Sequence, residues 1–588
     1  MPAATPRTDR NRPLTLSSPT HGSSTATAAL LRRMALPSRW TLVACLLAAL
    51  IAAPVVAVLI NALGARSAIW QHLVDTVLAD FVANSLLIMV GVTFGCFIVG
   101  VPGAWFTTLC RFPGRKLFSW AMLLPMAFPA YVIAYAYTGM LDYAGPVQSG
   151  LRDFLGDPQG LKWLPEIRSL PGAIVMLVLV LYPYVYLMAR AAFLEQSACV
   201  LEVSRTLGCT PLSGFLRVGL PLARPAIVAG VALALMEALN DYGTVQYFGI
   251  NTLTTGIFRV WRGMGDPVAA SQIAVILLLF VFALLGLERW SRGRRGYAHS
   301  TGRYRPLPRY RLRGWRAAGA IVGCGLPVLL GFVLPAAMLL HWALNNPEYW
   351  MTGTFVHLLR NTFLLSGIGA MLVVGVAIVL AYAIRLHPTP ATKFASRVAS
   401  AGYAVPGAVL AIGVILPLAT VDHAIAGWTR EQFGVKLGLL FTGSLIAVLY
   451  AYLTRFLTIS FNAVEASLGK ITYSMDFAAR SLGRSPGATL LQVHLPIMRG
   501  TLLTAAILVF VDILKELPAT LILRPFNFDT LATKTYDLAS DERLAEAAGP
   551  ALAIGLVGIL PVYLLSRAIR AARPGSQGTA SQANAEQH

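Results

Sequence analysis

Charged side chains are scarce in this chain. Only 12% of its 588 residues are Asp, Glu, Lys or Arg, which is about half the share found in soluble domains. Hydrophobic residues make up 56% of the sequence, and the mean hydropathy is +0.66. They form blocks of about 20 residues, the length that a helix needs to cross a bilayer. The composition excludes a soluble multidomain protein and predicts an all-α polytopic membrane protein.

Motifs for metals and nucleotides are also lacking. The six cysteines show no CxxC spacing and the nine histidines no HExxH cluster, so neither a disulfide framework nor a zinc site is indicated. No G-x-x-x-x-G-K-[ST] segment occurs, so the chain lacks the loop that cradles ATP phosphates. We expect no bound cofactor, no resident metal and no ATP hydrolysis by this chain. A membrane-embedded enzyme, which would need clustered His, Asp or Cys near one leaflet, is disfavoured.

Basic residues outnumber acidic ones by 47 to 26. The densest run, from Arg289 to Arg316, holds ten arginines and no acid and lies between two apolar blocks. Basic residues beside membrane spans are retained on the cytoplasmic side. The excess charge therefore indicates topology and contact with membrane lipid, and not nucleic-acid binding.

Hydropathy predicts twelve spans, six in each half of the chain. They lie near 40–62, 82–105, 116–140, 170–190, 222–243, 268–288, 316–342, 361–384, 394–418, 437–456, 499–520 and 547–566. An even number of spans and basic loops on one side predict a multi-pass protein of the inner membrane with both termini cytoplasmic. The division is a tail at 1–37, repeat units at 38–290 and 316–570, an Arg-rich linker at 291–315, and a tail at 571–588.

A repeat relates the two halves. The segment Glu202-Val-Ser-Arg-Thr-Leu-Gly208, followed after nine residues by Val218-Gly-Leu-Pro221, recurs 275 positions later as Phe477-Ala-Ala-Arg-Ser-Leu-Gly483 and Val493-His-Leu-Pro496. Further matches are Asn84-Ser85 with Asn361-Thr362, Pro129 with Pro406, Glu237 with Asp512, and Asp241 with Glu516. An even number of spans per unit makes the halves parallel, related by a pseudo-twofold axis along the membrane normal.

The repeated loop is predicted to be a short helix that ends at glycine, where a left-handed backbone costs least. A second short helix should follow, stopped by proline before the next span. Such a helix on the inner membrane face could seat in a groove of a cytoplasmic partner. An ordinary amphipathic connector is the alternative.

The loop resembles the E-A-A-three-G-nine-I-x-L-P signature of ABC-importer permeases. That resemblance implies two six-helix type I permease units, two ATP-binding partner subunits on which ATP is bound, and an extracytoplasmic substrate-binding protein. It marks loop residues that would contact or couple to the ATPases: Glu202, Gly208, Leu220, Pro221, Asp476, Ala478, Ala479, Gly483, Leu495 and Pro496. The second copy departs from the pattern at Phe477, which stands where the glutamate is expected, next to Asp476.

The segments at 515–532 and 538–548 are similar to those of the iron(III) permeases with two fused halves. This similarity implies import of ferric iron delivered by a binding protein. Thiamine, polyamine and sulfate permeases share the scaffold and remain alternatives for the cargo. A twelve-helix secondary transporter is the alternative of a different class, although it would leave the duplicated loop without a purpose.

Charged residues inside spans are costly and are candidates for a translocation pathway. They are Glu237, Asp241, Asp512, Lys515 and Glu516. Their carboxylates are hard oxygen donors of the kind that suits ferric iron. The structural alternative is that Lys515 and Glu516 pair with neighbouring groups. Four glycines are expected to mark close helix packing, namely Gly91, Gly95, Gly413 and Gly443.

Overall fold

The computed structural model describes residues 38–65, 68–156, 166–195, 206, 208, 210–292, 310–436 and 438–571. Within these ranges the chain is helical, which confirms the all-α prediction. The regular strands of this part are the two-residue β1 (Cys110–Arg111) and β2 (Tyr310–Arg311), which pair in parallel. Both proposed tails lie wholly or almost wholly outside the described residues, as does most of the Arg-rich linker.

The helices of the first half, in chain order, are α1 (Arg39–Ala62), α2 (Ala68–Thr76), α3 (Leu78–Leu109), α4 (Arg115–Ala121), α5 (Ala130–Leu141), α6 (Pro146–Leu155), α7 (Leu170–Glu195), α8 (Pro211–Gly214), α9 (Leu220–Asn240), α10 (Gly243–Tyr247), α11 (Leu253–Phe258) and α12 (Pro267–Arg292). A 3₁₀ turn covers Leu124–Ala127, and π turns cover Phe215–Gly219 and Arg259–Met264.

The second half follows the same order. Its helices are α13 (Trp315–Val328), α14 (Leu334–Asn345), α15 (Gly353–Leu386), α16 (Pro390–Ala399), α17 (Gly407–Phe433), α18 (Leu445–Leu468), α19 (Tyr473–Ser481), α20 (Pro486–Thr489), α21 (Leu495–Leu514), α22 (Pro518–Leu523), α23 (Leu531–Ser540) and α24 (Leu544–Ala571). The 3₁₀ turns are Pro347–Tyr349 and Gly402–Ala404, and the π turns are Leu329–Val333 and Leu490–His494.

Eleven helices in the described residues are long and apolar enough to cross a membrane, and twelve if one sharply bent pair counts as a span. The bent pair is the predicted third span, where 115–127 and 130–155 meet at 89°. The ninth span is Gly407–Phe433 and not 394–418. Both differences have one cause: Pro129 and Pro406 adopt extended backbone immediately before a helix, and hydropathy does not record such a break.

Matched polar residues make the same hydrogen bonds in each half. Asn84 donates to the carbonyl of Asn251 at 2.8 Å, and Asn361 donates to that of Asp529 at 3.3 Å. Their neighbours Ser85 and Thr362 accept from the backbone N–H of Leu253 and Leu531 respectively. Reciprocal threonine caps also start α11 and α23. The matched sequences therefore build matched local structures.

The first helix of each half packs across the molecule. Helix α1 contacts α15, α16, α17 and α18 of the second half, while α13 and α14 contact α3, α4 and α5 of the first. The buried residues of α1 recur every three or four positions, and most have small side chains. They are Thr41, Ala44, Ala48, Ile51, Pro54 and Val58. Small residues let two helix backbones approach closely in a membrane.

Three of the four glycines expected at close helix packing are found there. A Cβ on Gly91 or Gly95 would collide with Ile174 or Val178 of α7, and one on Gly413 would collide with the backbone of Pro54 in α1. Gly443 was a wrong prediction, because nothing lies within 4 Å of its Cβ position. It has a positive φ of 75°, which marks a turn.

We expect Gly413→Ala to destabilise the bundle, because the added methyl meets the backbone of α1 and no rotamer change relieves it. Overpacking of this kind costs about 1–3 kcal/mol. The measurement is the midpoint of thermal unfolding in detergent. Gly375→Ala in α15, where the Cβ has open space, is the control. Equal midpoints for the two variants would show that α1 does not pack against α17 this closely.

Candidate functional site

A cavity of about 100 Å³ lies between the halves. All five charged residues predicted for a pathway line it: Glu237, Asp241, Asp512, Lys515 and Glu516. The remaining lining residues include four tyrosines, and the polar members among the rest are Asn240 and Arg455. The structure thus brings together residues that are up to 279 positions apart in the sequence.

The cavity lining follows the repeat. Equivalent positions of the two halves both contribute, and the pairs are Met126 with Tyr403, Val180 with Arg455, Leu181 with Phe456, Glu237 with Asp512, Asn240 with Lys515, Asp241 with Glu516, Tyr242 with Leu517, and Gly243 with Pro518. A site formed by equivalent residues of two related halves lies on the axis between them.

Charge is not shared equally by the two walls. The first half contributes two carboxylates and no base, whereas the second contributes two carboxylates, one guanidinium and one ammonium group. Four carboxylates against two cations leave a formal charge of −2. The cavity therefore favours a cation overall, although both of its own cations come from the second half.

Arg455 stands at the centre of this network. It lies in α18 and is only 5% exposed. Its Nη1 donates to Asn240 Oδ1 at 3.0 Å and to Glu516 Oε1 at 3.3 Å, and its Nη2 lies 3.8 Å from Glu237 Oε2. The sequence analysis missed this residue. An arginine within an apolar helix is nevertheless a signal of the kind that selected the other five.

Asp241 and Glu516 cap the short helices that follow them. Asp241 accepts from the backbone N–H groups of Thr244 and Val245 at the start of α10. Glu516 accepts from the N–H groups of Ala519 and Thr520 at the start of α22. A side-chain oxygen at such a position satisfies N–H groups that have no partner within the helix. Both residues therefore hold the cavity wall in shape.

Asp512, in the last turn of α21, pairs at 3.0 Å with Lys515, which directly follows that helix. The structural alternative considered for Lys515 thus describes its contact in this structure. Among the described residues, no three His, Cys, Asp or Glu side chains are grouped so that they could hold a metal ion. The cavity is lined by charged groups that already have partners within the protein.

The second repeated loop has the predicted form. Helix α19 ends at Ser481, and Gly483 follows with φ of 76°. Gly208 of the first loop has φ of 77°, but Glu202 lies outside the described residues. The left-handed backbone at both glycines agrees with the predicted helix end.

Asp476 faces the bundle. Its Oδ2 accepts from Arg385 Nε at 2.9 Å, and its Oδ1 lies 2.6 Å from Nε2 of the fully buried His494. Ala479 is also buried, whereas Ala478 and Phe477 are exposed. Asp476 therefore attaches the loop to α15 and to the π turn that precedes α21, and the side that could meet another protein carries Phe477.

Proline does not stop the second helix of the loop. The helical path continues from α8 into α9 and from α20 into α21, with Leu220-Pro221 and Leu495-Pro496 just inside the longer helices. A π turn precedes each pair, and the N–H of Leu220 bonds to the carbonyl of Phe215, five residues back. The wider turn accommodates the proline ring, which would clash within regular α-helix. Each loop is thereby joined to a cavity wall by one unbroken helix.

Comparisons with known proteins agree with this arrangement. Residues 97–294 match the family of binding-protein-dependent transport system inner membrane components. The chain is 26% identical to the Fe(3+)-transport system permease protein FbpB 2 of Haemophilus influenzae, over 83% of this chain and 90% of that protein.

Shorter relatives match about two-fifths of the chain's length. The molybdenum transport system permease protein ModB of Escherichia coli is 24% identical over 38% of this chain and 92% of its own length. The putative 2-aminoethylphosphonate transport system permease protein PhnU of Salmonella choleraesuis is 28% identical over 39% of this chain and 80% of its own length.

Gly407→Ala should disturb the cavity, because the added Cβ would stand 2.6 Å from Arg455 Nη1 and 2.8 Å from Glu516 Oε1. The equivalent position of the first half, Ala130, already carries a Cβ. We expect a loss of about 1–3 kcal/mol of stability, measured as a lower midpoint of thermal unfolding in detergent. Gly500→Ala, in an open part of α21, is the control. An unchanged midpoint for Gly407→Ala would mean that Arg455 and Glu516 are not held this tightly.

Proposed function

We propose that this chain, which belongs to the binding-protein-dependent transport system inner membrane components, is the permease of an ATP-driven importer of ferric iron. It carries no enzymatic activity of its own, since the family supplies the transport subunit. The observation that carries the proposal is the charged cavity that equivalent residues of both halves enclose on the axis. A passage between two halves that can rock against each other suits alternating access.

Two partner ATPases supply the energy in this proposal, because the sequence has no phosphate-binding loop. Their docking sites are the two repeated loops. On α19 the exposed side carries Tyr473 at 59% exposure and Phe477 at 63%, with Leu482 at 81% just beyond the helix. Exposed large apolar side chains close together mark a surface for a protein partner. Phe477 would thus replace the usual carboxylate by an apolar contact.

The orientation of the chain in the membrane follows from its basic residues. The basic segments at 111–116 and 289–316 adjoin span ends, and Arg385 at the end of α15 contacts the loop that contains Asp476. Basic residues beside spans face the cytoplasm. Both loops and both termini are therefore cytoplasmic, and a substrate-binding protein would deliver the cargo to the opposite face.

The mechanism uses the unbroken helices. The stretch from Pro486 to Leu514 contains 29 residues and measures roughly 40 Å at the rise of an α-helix. It begins beside the docking surface and ends with Asp512 in the cavity wall; the stretch from Leu212 to Asn240 does the same for Glu237. Closure of the ATPases would move the loops, and the helices would transmit that movement to the cavity.

Ferric iron is the cargo that the comparisons and the cavity both favour. A relative that matches 83% of this chain is named for Fe(3+) transport, and the cavity has a formal excess of carboxylates, which are hard oxygen donors. Thiamine, polyamines and sulfate-type anions are the alternatives on the same scaffold. A secondary transporter remains the alternative class, and it would purify without an ATPase.

Removing the apolar contacts of the second loop should weaken assembly. In Phe477→Ala combined with Leu482→Ala, we expect the co-purified ATPase to fall at least about tenfold, the effect of losing about 1.4 kcal/mol of binding energy. The measurement is the ratio of ATPase to permease in mild detergent. Leu503→Ala removes a leucine of 64% exposure from α21 outside the loop and should leave the ratio unchanged. Equal ratios for all three chains would remove this surface from the proposed interface.

The pathway role of the matched carboxylates is tested by Glu237→Gln combined with Asp512→Asn. We expect uptake of radiolabelled ferric iron by cells to fall at least about tenfold, because loss of transition-state or site stabilisation by 1.4 kcal/mol has that effect. Glu237→Asp combined with Asp512→Glu keeps both charges and should retain more uptake. The amounts of permease and bound ATPase are measured in each strain. Full uptake by the neutral pair would show that these carboxylates do not guide the cargo.

A further inference from the structure

The hydrogen bonds between the side chains at the end of α9 and the second half run in one direction, with α9 as the acceptor. Helix α9 of the first half presents two acceptors, Glu237 and Asn240, three residues apart on its last turn. Every donor to them that the structure shows comes from the second half. We define this group, Glu237, Asn240, Tyr403, Gly407 and Arg455, as the axial latch.

Four contacts form the axial latch. Tyr403 donates its hydroxyl to Glu237 Oε1 at 3.1 Å, and the backbone N–H of Gly407 donates to Asn240 Oδ1 at 2.6 Å. Arg455 reaches both acceptors, at 3.0 Å to Asn240 Oδ1 and 3.8 Å to Glu237 Oε2. Three separate elements of the second half therefore hold the end of one helix of the first: the turn before α17, the start of α17, and α18.

The sequence lacks the side chains that would make the equivalent contacts on the other side of the axis. The positions that match Tyr403 and Arg455 are Met126 and Val180, neither of which carries a hydrogen-bond donor on its side chain. The positions that match the acceptors are Asp512 and Lys515, which pair with each other. The first half therefore lacks a tyrosine and an arginine at the positions from which Tyr403 and Arg455 act.

Arg455 has a carboxylate partner in its own half as well as partners in the first half. Glu516 Oε1, which lies 3.3 Å from Nη1, belongs to the same half as Arg455. The Nε of Arg455 is buried without a hydrogen-bond partner in the described part of the chain. If α9 moves away, the guanidinium keeps one carboxylate partner and is not left as an isolated buried charge, which would be much more costly. These contacts suit a bridge that breaks and re-forms.

We propose that Arg455 is a positioning residue that holds the cavity closed through the axial latch, and that the cavity opens by release of α9 from the second half. This proposal rests on the proposed function only in treating the cavity as part of a passage. The cargo does not enter into it. The opening is asymmetric, because the contacts of the axial latch all lie between α9 and the second half, while the Asp512–Lys515 pair at the end of α21 stays intact.

The test measures access to the cavity and not transport. Met126→Cys places a thiol at a half-buried position of the lining. The permease–ATPase complex is reconstituted in liposomes, and the rate of labelling by a membrane-impermeant methanethiosulfonate reagent is measured without ATP, with the chain lacking Met126→Cys as the background. Adding Arg455→Met should raise the rate about tenfold or more, since the closed population falls when its bridging contacts are lost.

Arg190→Met is the matched control. Arg190 is also a buried arginine at 5% exposure, on the corresponding helix α7, but its Nη1 donates to the carbonyl of Ser119 within its own half. Loss of a buried guanidinium is therefore common to both variants, and loss of the bridge is specific to Arg455→Met. Arg190→Met should leave the labelling rate within about twofold of the parent, as expected for a site outside the coupled network.

Glu237→Gln supplies the second, milder variant. It should raise the labelling rate by less than Arg455→Met, and the two changes together should give no more than Arg455→Met alone, because both remove the same bridge. The proposal would be overturned if the two changes multiplied each other's effect on the labelling rate. It would also be overturned if Arg190→Met raised the labelling rate as much as Arg455→Met, or if Arg455→Met left it at the parental value. Iron uptake does not enter these outcomes, so a wrong cargo and a wrong latch give different results.

Discussion

A helix that begins inside an apolar bundle has backbone N–H groups in its first turn that only the protein can satisfy. The centre of this molecule depends on that constraint. Helices α10, α17 and α22 all start beside the cavity, and their first N–H groups bond to Asp241, Asn240 and Glu516 respectively. Polar side chains are therefore required at the axis before any cargo is considered. The residues that line the cavity thus also keep interrupted helices stable within the membrane.

The repeat gives the two halves one architecture but different chemistry. Threonine caps, asparagine contacts, π turns and left-handed glycines recur at matched positions. Val180 and Arg455, in contrast, occupy equivalent places with very different side chains. Fusing two halves in one chain allows such divergence, since each copy accumulates its own substitutions. Backbone geometry has been kept, and the charged contacts have become specific to one half.

Much of this organisation could be predicted from the sequence because hydropathy and a repeat are both periodic signals. The offset of 275 residues paired Glu237 with Asp512 and Asp241 with Glu516, and all four meet in one cavity. Hydropathy could not locate the breaks before Pro129 and Pro406, since apolar residues on both sides of a break are summed alike. Nor could it show that His494, at the variable position of the loop motif, is a buried partner of Asp476. That contact joins residues 18 positions apart through a fold that no local pattern records.

Because α1 crosses the molecule, the helices that pack together are not the same as the helices of one repeat. This helix belongs to the first repeat by sequence, yet it packs against four helices of the second, and Tyr450 of α18 donates its hydroxyl to the carbonyl of Leu50 within it. Helices α13 and α14 make the opposite exchange. The first span of each repeat therefore packs against helices of the other repeat. If the halves separate, the chain that joins each of these spans to the rest of its own repeat must change shape.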